Sequence, residues 1–134
     1  MSRRVLVVDD EPDILDLLTM LFEDDQRCDA VAGVGELDEA VPQALLLGAD
    51  SIVLDLMFGH RTCVEILPSL RAARPDAHIV VFTSSRRAAL SAGVLELGAD
   101  VVVQKVSMSF EELTDVVLNP AIALLAPPPT YCPQ

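Results

Sequence analysis

The sequence predicts an α/β fold: a doubly wound, five-stranded parallel sheet of strand order 2-1-3-4-5, with helices on both faces. Three observations carry this expectation. Short apolar runs alternate five times with helix-length segments, the pattern of consecutive βα units joined by right-handed crossovers. The runs are continuously apolar, as in Val5-Leu6-Val7-Val8 and Ile79-Val80-Val81-Phe82, which marks strands covered on both faces. Two of them stop abruptly on acid, the first at Asp9-Asp10 and the third, Ser51-Ile52-Val53-Leu54, at Asp55. In an open α/β sheet the carboxyl edge is where ligands bind. The assumed order sets the first and third strands side by side at the switch point.

Each element has its own signals. Arg4 to Asp9 reads as the first strand. Pro12 then suits the first turn of a helix, with Asp13 favouring its positive end. Ile14, Leu15, Leu17, Leu18, Leu21 and Phe22 follow core-facing helical spacing up to the acidic Glu23-Asp24-Asp25. Arg27 to Ala32 is a weaker second strand, and Gly33 and Gly35 are read as opening a turn. The next helix spans Asp38 to Leu47, beginning near Pro42 or distorted there, and Gly48-Ala49-Asp50 closes it. After the strand Ser51 to Asp55, a helix is expected over Thr62 to Arg74, with Pro68 disturbing its middle. His78 to Thr83 is the fourth strand, Arg86 to Leu97 the fourth helix, and Val101 to Val103 the fifth strand. Ser109 caps a final helix carrying Glu111 and Glu112 in its first turn and running at least to Leu118. Residues 1–120 form the predicted domain. Residues 121–134, an apolar segment and a Pro-rich tail, read as a linker or interface.

Composition narrows the function. A chain of 134 residues that is 51% hydrophobic can bury a full core without staples. Three scattered cysteines, Cys28, Cys63 and Cys132, point to a reduced, cytoplasmic protein. No apolar run reaches the roughly 20 residues of a membrane span, and the N-terminus does not read as a signal peptide. A net charge of −12 argues against direct nucleic-acid binding, which needs clustered cations. Arg3-Arg4 and Arg86-Arg87 are isolated pairs. Eight cations are arginine and one, Lys105, is lysine, a compact point charge kept just past the fifth strand.

Four strands thus end on groups able to do chemistry: Asp9-Asp10, Asp55, Thr83 and Lys105. Singly, each has a plain explanation as a helix cap, a turn residue or a solvated loop lysine. Four on one sheet edge are hard to ascribe to capping. In type and spacing, Val-Leu-Val-Val-Asp-Asp-Glu-Pro (5–12) and Val-Leu-Asp-Leu-Met (53–57) resemble the receiver domain of bacterial two-component response regulators, a flavodoxin-like fold. The resemblance covers residues 4 to about 118. It implies that Asp55 is phosphorylated by a histidine kinase or phosphotransfer protein. Asp9, Asp10, Asp55 and the backbone carbonyl of Met57 would hold Mg²⁺, and Thr83 and Lys105 would contact the phosphoryl group. It also implies a signalling module rather than an enzyme, with at most slow self-dephosphorylation and an output partner or domain to be found.

The chain departs from the family pattern in places. Phe58-Gly59 stands where a proline is usual, and Cys63 where a glycine is usual. Val106 replaces the proline after the lysine, and Val102 occupies the aromatic switch position. These departures leave a second expectation open, a receiver-like interaction module that works without phosphorylation. The Gly33-x-Gly35 pair lacks the third glycine of a dinucleotide loop, and His60 reads as solvated. The apolar Val116-Val117-Leu118 and Ala121 to Leu125 allow a homodimer, or simply a segment folded on its own domain.

Overall fold

Five parallel strands form one sheet in the order β2-β1-β3-β4-β5, in a computed structural model that describes residues 3–84, 88–106 and 108–120. The strands are β1 (Arg3–Val8), β2 (Cys28–Val34), β3 (Ser51–Leu54), β4 (His78–Thr83) and β5 (Val101–Gln104). The helices between and after them are α1 (Pro12–Glu23), α2 (Ala40–Leu47), α3 (Leu67–Ala73), α4 (Ala88–Leu97) and α5 (Phe110–Leu118). The predicted order is the one observed. The predicted tail, 121–134, and the Arg86-Arg87 pair lie outside the described residues.

The apolar runs serve two cores at once because successive side chains in a strand point to opposite faces. Leu6, Val8, Ile52, Leu54, Ile79, Val81 and Val102 face the side holding α2, α3 and α4. Val5, Val7, Val53, Val80, Phe82 and Val103 pack against α1 and α5. In α1, Leu18 and Phe22 are fully buried, each contributing about 1.5–3 kcal/mol. Leu17, read as core-facing, is exposed, because it sits about 100° around the helix from Leu18.

Several boundaries move for identifiable reasons. β2 continues through Gly33 to Val34 instead of turning there. A side chain at 33 would meet Leu15 and Thr19 of α1 at 2.9 Å, so this glycine serves close helix–strand packing. α2 begins at Ala40 after a 3₁₀ turn (Leu37–Glu39), which puts Pro42 in its first turn. There the missing N–H leaves no bond unmade. α3 likewise starts at Leu67 with Pro68 in its first turn, preceded by a 3₁₀ turn (Cys63–Glu65). Gly48, in the left-handed region at φ +68°, closes α2. Ser109 caps α5 in a reciprocal box, its hydroxyl accepting from the Glu112 N–H while the Glu112 carboxylate accepts from the Ser109 N–H. Val116, Val117 and Leu118 are buried in their own domain, which accounts for their apolar character.

The amino edge of the sheet is fastened by long-range polar contacts. The Ser51 hydroxyl donates to the Val117 carbonyl (2.8 Å), and His78 Nε2 lies 3.1 Å from the Val116 carbonyl. These satisfy carbonyls that the end of α5 leaves without intrahelical partners. Arg71 of α3 donates to the carbonyls of Gly98 (2.6 Å) and Ala77 (2.7 Å) and to the Asp100 carboxylate (2.7 Å). One guanidinium thereby ties α3 to the end of α4 and the start of β5. Arg71→Ala is expected to lower unfolding free energy by about 2–4 kcal/mol, as carbonyls lose a charged donor. Urea denaturation checks this, and a change within error of zero would show that water replaces the staple.

Candidate functional site

The parallel ladder runs one residue past the strand ends and sets the site. The Asp9 N–H donates to the Val34 carbonyl (3.1 Å) and the Asp55 N–H to the Val8 carbonyl (3.0 Å), fixing both backbones at adjacent strand ends. Asp9 is 2% exposed and Asp55 8%, whereas Asp10 faces solvent. One carboxylate oxygen from each of the three can be chosen such that all lie within 4.8 Å of one another. The Asp9 carboxylate also accepts the Glu11 N–H (2.9 Å), which holds it at the entry to α1.

Thr83 closes β4 and is buried at 1% exposure. Lys105 follows β5, its N–H donating to the Thr83 carbonyl (2.8 Å). Its ammonium stands 3.5 Å from Asp9 Oδ2 and 3.6 Å from Asp55 Oδ1, and 5.5 Å from the centre of the Phe82 ring. The structure therefore brings together Asp9, Asp10, Asp55 and Lys105, with Thr83 on the strand between. Val102 is buried against the core that includes Val94 of α4. Among the described residues no peptide bond is cis, Lys105–Val106 included.

Burial, with the neighbouring Asp9 charge adding to it, pushes the Asp55 carboxyl up to about 7; Lys105 opposes the shift and Asp10 adds to it. Nearby Cys63 is fully buried, and burial together with Asp55 pushes its thiol up to about 12. So high a value leaves it a packing residue, not a nucleophile.

The loop after Asp55 holds a feature the sequence reading missed. Met57–Phe58 and Arg61–Thr62 pair antiparallel as a small ribbon, with Gly59 at φ +64°. The available signal was a glycine at the first of two central turn positions, as a tight hairpin turn requires. The ribbon is anchored where the Cys63 N–H donates to the Leu56 carbonyl (2.8 Å). Arg61 braces it through Asp38 (2.8 Å) and Glu65 (2.9 Å). Met57, whose side chain is exposed, is thus carried on a braced backbone beside the acids. A hollow of about 250 Å³ lies between this ribbon and the loop after β2, bordered by Asp10, Glu36, Phe58 and Arg61.

The family model described as the response regulator receiver domain matches residues 5–118. A protein-glutamate methylesterase/protein-glutamine glutaminase of Myxococcus xanthus is 34% identical over 110 residues, covering 82% of this chain and 28% of its own length. The chain thus spans little more than a quarter of that curated relative. A two-component response regulator of the LuxR family from Aurantimonas superposes with a TM-score of 0.82 at 25% identity, covering 96% of this chain and 91% of its own. A response regulator from Burkholderia pseudomallei, with a phosphorylated aspartic acid, calcium ion and citrate, gives 0.79 at 25% identity, covering 92% and 71%.

The raised Asp55 value has a sign. Between 3.8 and about 7 the folded chain keeps a proton that the unfolded chain releases, so this contribution to stability is lost as pH rises through about 7. In chelator-treated protein, Asp55→Asn is expected to gain about 2–4 kcal/mol at pH 8 and much less at pH 4. Thermal or urea unfolding across that range tests this, and an equal effect at both pH values would refute it.

Proposed function

This chain belongs to the response regulator receiver family, and from that premise we propose that Asp55 accepts a phosphoryl group in a Mg²⁺-dependent step that alters partner binding. The observation that carries the proposal is the convergence of three carboxylates and one ammonium at the carboxyl edge of the sheet, with Asp55 buried among them. The domain is taken as residues 1–120, with 121–134 as a linker or interface segment.

The donor set fits a hard divalent cation: clustered carboxylate oxygens repel one another, and the backbone carbonyl of Met57 is a further oxygen on a braced strand. Asp9, Asp10, Asp55 and that carbonyl would hold Mg²⁺. Bound there, Mg²⁺ supplies positive charge that offsets the charge of the phosphoryl oxygens. The deprotonated Asp55 oxygen attacks phosphorus in a phosphohistidine of a histidine kinase or phosphotransfer protein. The new O–P bond forms as the N–P bond breaks, and the electron pair returns to the imidazole nitrogen. Lys105, already 3.6 Å from the Asp55 carboxylate, pairs with a phosphoryl oxygen, and the Thr83 hydroxyl donates to another. The acyl phosphate adds charge and acceptor atoms where a neutral or singly charged carboxyl stood.

Turnover beyond slow self-hydrolysis is not part of this function. The output is a change in affinity for a separate protein or an attached domain. Among the described residues no helix is long and apolar enough to cross a membrane. The Burkholderia relative, with its phosphorylated aspartic acid and calcium ion, supports both halves of the chemistry.

With acetyl phosphate and Mg²⁺, intact-mass and peptide mapping are expected to find one phosphoryl group on Asp55, absent in Asp55→Asn and in chelator. If the wild type binds Mg²⁺ yet gains no phosphoryl group, the phosphorylation-independent module is the better account. Separately, Asp10→Asn is expected to weaken Mg²⁺ binding at least about tenfold, measured by calorimetry. An unchanged affinity would remove Asp10 from the ligand set.

A further inference from the structure

Lys105 touches more than the acids. Its ammonium lies 5.5 Å from the centre of the Phe82 ring, within the range of a cation–π contact. Phe82 is 1% exposed on β4, on the face opposite Val81, and its ring meets Phe110 edge-on at 5.9 Å and 70°. Phe110 is the first residue of α5, next to the Ser109 capping box. A line of contacts therefore runs from Asp55 through Lys105 and Phe82 to the start of α5. The other end of α5 is pinned to the sheet by Ser51 and His78. Such a helix can respond at its first turn while its last turn stays fixed.

Position 102 offers no ring for a competing route. Val102 is 3% exposed and packed in the α4-side core, so it has no polar tip and no exposed alternative to swing towards. We propose that Phe82 seats the Lys105 ammonium at the acidic pocket and that Phe110, packed edge-on against it, passes the displacement of that seat to the first turn of α5. This rests on the phosphoacceptor reading above. Drawing Lys105 towards a phosphoryl oxygen changes its seat on the Phe82 face. The edge-on Phe110 then follows because two packed rings exchange discrete arrangements instead of deforming continuously.

The test is amide NMR of the full chain with Mg²⁺, titrated with beryllofluoride as a phosphoryl stand-in, for wild type, Phe82→Leu, Phe110→Leu and Phe110→Tyr. In the wild type the amides of Asp55 and of Phe110 to Leu113 are expected to shift together. Phe82→Leu keeps apolar volume but loses the ring face; it should weaken beryllofluoride binding about two- to fivefold and silence the α5 shifts. Phe110→Leu should leave affinity near wild type and silence α5, and Phe110→Tyr, which keeps the ring, should restore the shifts. Asp55 shifts with a silent α5 in the wild type would overturn the relay alone. So would α5 shifts that persist at saturation in Phe110→Leu, which changes only a partly buried ring and keeps the test decisive if Phe82→Leu does not fold. Failure of the wild type to bind beryllofluoride would overturn the phosphoacceptor reading, and the relay with it.

Discussion

Like charges held close together are the constraint on which this structure turns. Asp9 and Asp55 sit almost out of water on neighbouring strands, and Asp10 completes the group at the rim. Left free, carboxylates would separate or take up protons, and the Asp55 value of about 7 records that tendency. The backbone prevents separation. Asp9 and Asp55 each donate one ladder bond to the neighbouring strand, Asp9 to Val34 and Asp55 to Val8, so moving either acid means breaking a bond of the parallel sheet. The two-sided apolar core makes such breakage costly, since a slip of one residue would turn every strand side chain to the wrong face.

What the fold loses by crowding acids it recovers as readiness. A pocket already arranged and acidic would need little reorganisation to receive the proposed cation and phosphoryl group. Lys105 offsets part of the crowding, standing about equally far from Asp9 and Asp55. At 3.5–3.6 Å it is looser than the 2.7–2.9 Å of a tight charged hydrogen bond, so it remains available to another oxygen. Its backbone is fixed independently, by the N–H that donates to Thr83. The departure at Val106 consequently leaves Lys105 in place, because the strand ladder and not the following bond sets its position.

Much of this was readable in the chain because it depends on runs of residue type. Apolar stretches broken by Asp9-Asp10, Asp55, Thr83 and Lys105 mark strand ends directly, and from the strand order the convergence follows. Part of what stayed unread depends on contacts between distant segments. Gly33 looked like a turn because its reason for being small, Leu15 and Thr19 on the packed helix, lies in another element. The Met57–Phe58 and Arg61–Thr62 ribbon is too short for any periodicity to show. The sequence alone places Pro68 in the middle of its helix and Pro42 either at the start of its helix or distorting it; both lie in a first turn, and a first-turn proline and a mid-helix proline look alike until the cap is known. Arg71 carries no positional signal at all; its long stem and forked guanidinium let it gather carbonyls from two loops, Pro75 and Ala77 before β4 and Gly98 before β5.

The arrangement of aromatic residues follows from the same economy. The chain has four phenylalanines, one tyrosine and no tryptophan, and two of the phenylalanines meet directly behind Lys105. A ring at Phe82 is more than a space-filler there: leucine would fill the α1–α5 core comparably, but only a π face attracts an ammonium held among carboxylates. Val102, apolar and enclosed, gives β5 packing towards α4 and no aromatic ring at that position. The α5 side has the ring pair, a capped helix start and a pinned helix end. A charge placed on Asp55 therefore meets, on the α5 side, a ring pair between a capped helix start and a pinned helix end, and by the relay proposed above the mechanical consequence of that charge is directed by where the rings stand.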